Sequence, residues 1–117
     1  MHRIHYAGDS ILTGSAIARG VLDYAQALAQ VGASATVDVP TRESDGSRGH
    51  VEMLIGPASQ LSAHEEDEVA GEELEDDTLV QRMHTAAVRL RRYGPDSPTA
   101  GIISSDQRDD WSVDDEY

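Results

Sequence analysis

Residues 15–31 read SAIARGVLDYAQALAQV. Ile17, Val21, Tyr24 and Leu28 recur three or four positions apart, with Ala18, Leu22 and Ala25 beside them. That spacing puts one apolar stripe on an α-helix, which must lie on something apolar. Thr13 or Ser15 is placed to cap its first turn, and Gly32 suits the left-handed residue that closes it. A helix this amphipathic needs a partner layer, and its flanks supply one.

Before it, residues 3–7 (RIHYA) alternate, Ile4 and Tyr6 on one face and Arg3 and His5 on the other, as in a short strand. Gly8-Asp9-Ser10 then reads as a turn. After the helix, residues 34–39 (SATVDV) alternate again and stop at Pro40. Residues 41–49 form a polar loop, and residues 50–55 (HVEMLI) form a third strand with Val51, Met53 and Ile55 inward. Residues 60–64 (QLSAH) alternate and are expected to add a fourth. A second helix is expected over residues 76–92, with Leu79, Met83, Ala86 or Ala87 and Leu90 as its stripe. Asp76 and Asp77 at its start and Arg89, Arg91 and Arg92 at its end complement the helix dipole.

The order β-α-β-β-(β)-α predicts an α+β fold. Two helices cover one face of a mixed sheet of three or four strands, and the first β-α-β unit is expected to pair its strands in parallel through a right-handed crossover. The chain has 117 residues, enough for one core. Hydrophobic residues make up 38% of it, below the usual globular share, so part of it is expected to lie outside the core. The expected division is a single domain over residues 1–93 and a disordered acidic tail over residues 94–117, where Ser, Pro, Gly and Asp dominate.

Charge is distributed unevenly. Of 22 acidic residues, nine fall in residues 65–77 (EEDEVAGEELEDD) and seven in residues 94–117. The remainder holds six acids and eight Arg, so a slightly basic body carries two acidic segments and the net charge is −13. Such runs solvate well and can also dock a basic protein; Glu65, Glu66, Asp67, Glu68, Glu72, Glu73 and Glu75 are the candidate docking residues. The same charge repels phosphate and argues against direct nucleic-acid binding.

Cys, Lys, Asn and Phe are absent. Lys, Asn and Phe share A/T-rich codons, which points to a high-GC bacterial genome. Without Cys there is no disulfide, thiolate nucleophile or Cys-ligated zinc. Without Lys there is no Walker or Schiff-base lysine. No apolar run is long enough to cross a bilayer and no apolar leader is evident, so a cytoplasmic protein is expected.

The string Gly8-Asp9-Ser10-Ile11-Leu12, set between a strand and a helix, resembles the first block of the GDSL (SGNH) hydrolases over Ile4 to Ser15. The resemblance implies Ser10 as nucleophile, with the Gly8–Ser10 backbone in an oxyanion hole. The rest of that pattern is missing: the chain has no Asn, and no His has an Asp three residues before it. The loop 8–15 also suits a small ligand or anion at a helix N-terminus, through Gly8, Thr13, Gly14 and Ser15, although the Walker spacing does not match. Glu43, Asp45, Gly46 and Glu52 fall at positions three, five, six and twelve of a calcium loop, but Thr41 stands at position one. His2, His5, His50, His64 and His84 show no zinc spacing, so neither metal nor cofactor is assigned. The residues favour a non-enzymatic interaction module with a basic protein partner. A small serine hydrolase acting through Ser10 and a ligand-binding module at loop 8–15 are the alternatives.

Overall fold

The computed structural model describes residues 1–67, 72–95 and 102–105. Among the described residues it shows an α+β fold of two helices and six strands in two small sheets. The strands are β1 (His2–Tyr6), β2 (Asp9–Thr13), β3 (Ala35–Arg42), β4 (Arg48–Ile55), β5 (Leu61–Glu65) and β6 (Ile102–Ile103). The helices are α1 (Ser15–Gln30) and α2 (Asp77–Tyr93). One sheet has the order β2-β1-β5 and is antiparallel throughout; the other has the order β4-β3-β6.

The expected parallel pairing of the first strand with the strand after α1 does not occur. Both sides of β1 are taken, by β2 and by β5, and β3 lies in the other sheet between β4 and β6. Parallel pairing is found instead between β3 and β6, where Thr36 faces Ile102 and Val37 faces Ile103. The cause lies at residues 7 and 8. Ala7 and Gly8 both have positive φ, 48° and 78°, and link Tyr6 to its register partner Asp9. Two such residues make the tight turn that suits the twist of a hairpin. The chain therefore folds straight back, and Asp9 and Ser10, read from sequence as turn, begin a strand. Residues 61–65 do form the expected extra strand, and it joins β1.

Ile11, Leu12 and Thr13 are all buried because β2 lies against β3 at the junction of the two sheets. The Thr13 hydroxyl donates to the Pro40 carbonyl at 2.7 Å, which ties the sheets together. Helix α1 buries Ile17, Ala18, Val21, Tyr24, Ala27 and Leu28 against both sheets, the stripe that its periodicity predicts. Helix α2 buries Leu79, Met83, Ala86, Ala87 and Leu90, packs on α1 and reaches β6. With no Phe available, Tyr24 is the largest wholly buried side chain among the described residues, and burial holds its phenol above the ordinary tyrosine range.

The Asp76 carboxylate caps α2, accepting from the Leu79 N–H at 3.1 Å, and Arg91 at its far end meets Asp23 of α1 at 2.8 Å. Of the segment 94–117, residues 94, 95 and 102–105 are described, and Ile102–Ile103 contributes β6. The rest of that expected tail, Glu68 and residues 69–71 lie outside the described residues. Among the described residues no helix is long and apolar enough to cross a membrane.

Candidate functional site: an acidic segment fastened to the body

The chain leaves β5 and enters the acidic segment on the same edge of the molecule that holds the start of α1. The Glu66 N–H continues the strand by donating to the Met1 carbonyl at 2.9 Å. The Glu66 carboxylate then receives the Arg3 guanidinium in a two-pronged contact, Nε at 2.6 Å and a terminal nitrogen at 3.3 Å. His64 Nε2 lies 3.6 Å from the same carboxylate, and the His64 ring stacks on His5 with centroids 5.1 Å apart. The Arg3 hydrogen bond is the largest influence on Glu66 and, helped by the nearby positive charge, holds it below the ordinary glutamate range against a desolvation penalty that ranks second.

Further along the acidic segment, Glu72 offers its carbonyl to Arg42 at 2.9 Å. The Arg42 Nε, in contrast, is buried without a hydrogen-bond partner among the described residues. Glu73 reaches the N-terminus of α1. The N-cap is Gly14, which has no side chain to offer, and the Glu73 carboxylate takes the role: Ser15 N–H donates to it at 2.6 Å and the Met1 ammonium at 2.9 Å. A helix start exposes free N–H groups and partial positive charge, so a carboxylate is stabilised there. The Ser15 N–H, first, and then the ammonium lower the Glu73 pKa from its ordinary range. Leu74 follows and is buried in the core. The segment is thus held at two carboxylates and one apolar plug. Glu65, Asp67, Glu72 and Glu75 stand exposed.

This geometry accounts for the residues singled out from sequence. Ser10 lies in β2, and its hydroxyl accepts from Arg3 at 3.2 Å; among the described residues no imidazole hydrogen bonds to it. The N–H of Ser10 donates to the Asp9 side chain at 2.8 Å. Residues 8–15 are not a loop. Gly8 is the hairpin turn, Thr13 is buried between the sheets, and Gly14 and Ser15 begin α1 with His2 Nδ1 within 2.8 Å of the Ser15 hydroxyl. Neither Thr13 nor Ser15 caps α1, because Thr13 is spent on Pro40 and Ser15 is already helical. The start of α1 is occupied by the Glu73 carboxylate of the chain itself.

His50 pairs with Asp38 at 3.0 Å and His84 is exposed on α2. Among the described residues no three His, Cys, Asp or Glu side chains converge as metal ligands. An open concavity of about 1470 Å³ lies between the β1–β2 hairpin and the β4–β5 connection, with Tyr6, Ser10, Leu54, Pro57 and Leu61 on its walls. Sequence reasoning missed the roles of Arg3, Arg42 and Leu74; nothing local signals that they meet the acidic segment, since Ser15 and Glu73 are 58 positions apart.

Glu73 carries a pH prediction. Its pKa is lower folded than unfolded, so the stabilisation is present above the ordinary glutamate range and is lost as pH falls through the folded value. At neutral pH Glu73→Gln is expected to cost about 0.5–1 kcal/mol, the low end of a helix cap because the side chain is 39% exposed. Below the glutamate range the variant and the wild type should converge. Urea denaturation across that range checks this, and a cost that is constant with pH would rule out the charged cap.

No family model, no curated protein and no solved structure matches this chain.

Proposed function

We propose that this chain is a non-enzymatic protein-interaction module whose acidic segment docks a basic partner. One observation carries the reading. Glu66 on Arg3, Glu73 on α1 and buried Leu74 fasten the segment at both ends, while Glu65, Asp67, Glu72 and Glu75 remain turned to solvent. Carboxylates fixed in advance lose less conformational entropy on binding than those of a free chain. They also steer a cationic partner at long range. The alternatives draw less support: Ser10 is bonded to a cation rather than to a base, and the helix start that would take an anion is filled by Glu73.

Calorimetric titration with a deca-arginine peptide tests the reading. Wild type is expected to bind at low salt and to weaken steadily as salt rises. Neutralising the exposed set (Glu65→Gln, Asp67→Asn, Glu72→Gln, Glu75→Gln) removes four contacts of about 0.2–1 kcal/mol each and should weaken binding about fourfold or more. Neutralising four acids of the C-terminal segment (Asp109, Asp110, Asp114 and Asp115, each →Asn) should do less. Equal losses in the two variants would reduce the effect to net charge and end the proposal.

A further inference from the structure

Strand β4 is an edge. It has β3 on one side, in unbroken register from Arg48 opposite Arg42 to Ile55 opposite Ala35, and among the described residues nothing on the other. Eight residues of strand present a row of backbone donors and acceptors about 27 Å long. Edges of that length are normally blunted by Pro, by Lys, by a bulge or by a covering loop. The sequence RGHVEMLI has neither Pro nor Lys, and its register with β3 holds no bulge. The side chains that point away from the helices are Arg48, His50, Glu52 and Leu54, all exposed, Leu54 by 74%.

We propose that β4 pairs antiparallel with β4 of a second copy of this chain, about a two-fold axis at His50. The row of exposed side chains selects both the occupant and the register. An axis at His50 places Arg48 opposite Glu52 of the second copy, and Glu52 opposite its Arg48, so two ion pairs form across the seam. An axis at Val51 sets Arg48 against Leu54, and an axis at Glu52 sets the two Glu52 carboxylates against each other, which costs energy. At the axis each imidazole already has a carboxylate, His50 Nδ1 being 3.0 Å from Asp38 of its own chain. A chain of net charge −13 repels its copies everywhere except where charge balances locally, and β4 carries one Arg and one Glu. Pairing over residues 48–52 of each copy joins the two β4-β3-β6 sheets into a six-stranded sheet and covers that part of the open edge. Isologous two-fold contacts of this kind are the commonest way for a chain to meet itself.

The chain has no cysteine, so single introduced thiols report position cleanly. Under mild oxidation His50→Cys is expected to give a covalent dimer, because directly opposed residues hold their Cβ atoms about 4.5–5.5 Å apart, near disulfide range. Leu54→Cys is expected to give none, because four residues either side of the axis set its two copies about 27 Å apart. Equal cross-linking at both positions, or none at His50→Cys, overturns the proposal. Sedimentation of the full chain provides a second measurement. Wild type should run as a concentration-dependent dimer, Glu52→Arg should raise its dissociation constant about tenfold or more, and Arg48→Glu with Glu52→Arg should restore it. A wild type that stays monomeric at every concentration, or a charge swap that restores nothing, also overturns it.

Discussion

Leu28→Ala is expected to lower unfolding free energy by about 2–5 kcal/mol, a large share of the roughly 5–15 kcal/mol that holds a typical domain together. Leu28 is 1% exposed and lies in the cluster with Tyr24, Val37, Met53 and Ile55. Truncation removes its contacts and leaves a void that an aliphatic core without Phe has little bulk to fill. Gln26, on the opposite side of α1, is exposed, and Arg91 approaches its amide oxygen at 3.5 Å. Gln26→Ala should therefore cost almost nothing, since Ala favours helix. Chemical denaturation of both variants measures the contrast. If Leu28→Ala were as harmless as Gln26→Ala, the buried face of α1 and the packing of both sheets on it would be wrong.

Gly14→Ala is expected to be the most damaging change of a single methyl group. A Cβ at Gly14 would stand far inside van der Waals contact with the Leu74 carbonyl oxygen, a backbone atom that cannot swing aside. The segment 72–76 would have to move, which costs about 1–3 kcal/mol as overpacking. Expelling Leu74 from the core would add about 1.5–3 kcal/mol more. Gly20 is the informative control. A Cβ there meets only the terminal methyl of Met83, at 2.7 Å, and that flexible end can turn away. Gly20→Ala also gains about 0.8–1 kcal/mol of helix propensity, so it should be close to neutral or stabilising. Thermal unfolding of the pair separates the two cases; a Gly14→Ala protein as stable as wild type would show that Leu74 does not seat against the start of α1.

The helices were legible because their signals are local and repeated. Ile17, Val21, Tyr24 and Leu28 mark one face of α1 whatever else the chain does, and Asp76 announces the start of α2 by a cap that needs only its neighbours. Strands β3 and β4 were legible for the same reason, through Val37, Val39, Met53 and Ile55. The hairpin at residues 7 and 8 was not, because Gly, Asp and Ser serve a helix cap as well as a tight turn, and DSILT is too short to display alternation when three of its residues are buried together. The division into two sheets was not legible either. It depends on β1 choosing β5, some sixty residues away in sequence, over β3. The acidic segment was visible as a charge run. Which of its carboxylates would be used internally was not, since Glu66 and Glu73 look like their neighbours until Arg3 and the free N–H of Ser15 are placed beside them.

Glu66, Glu73 and Leu74 fasten the acidic segment to the folded body, and we propose that its remaining carboxylates meet a basic partner. Amide chemical-shift mapping of the ¹⁵N-labelled full chain, titrated with deca-arginine at low salt, decides the matter. The largest shifts are expected on Glu65–Asp67 and Glu72–Glu75, and Glu66→Gln with Glu73→Gln is expected to weaken binding by releasing the segment from Arg3 and from α1. Shifts concentrated on residues 106–117, or a double variant that binds as tightly as wild type, would contradict it.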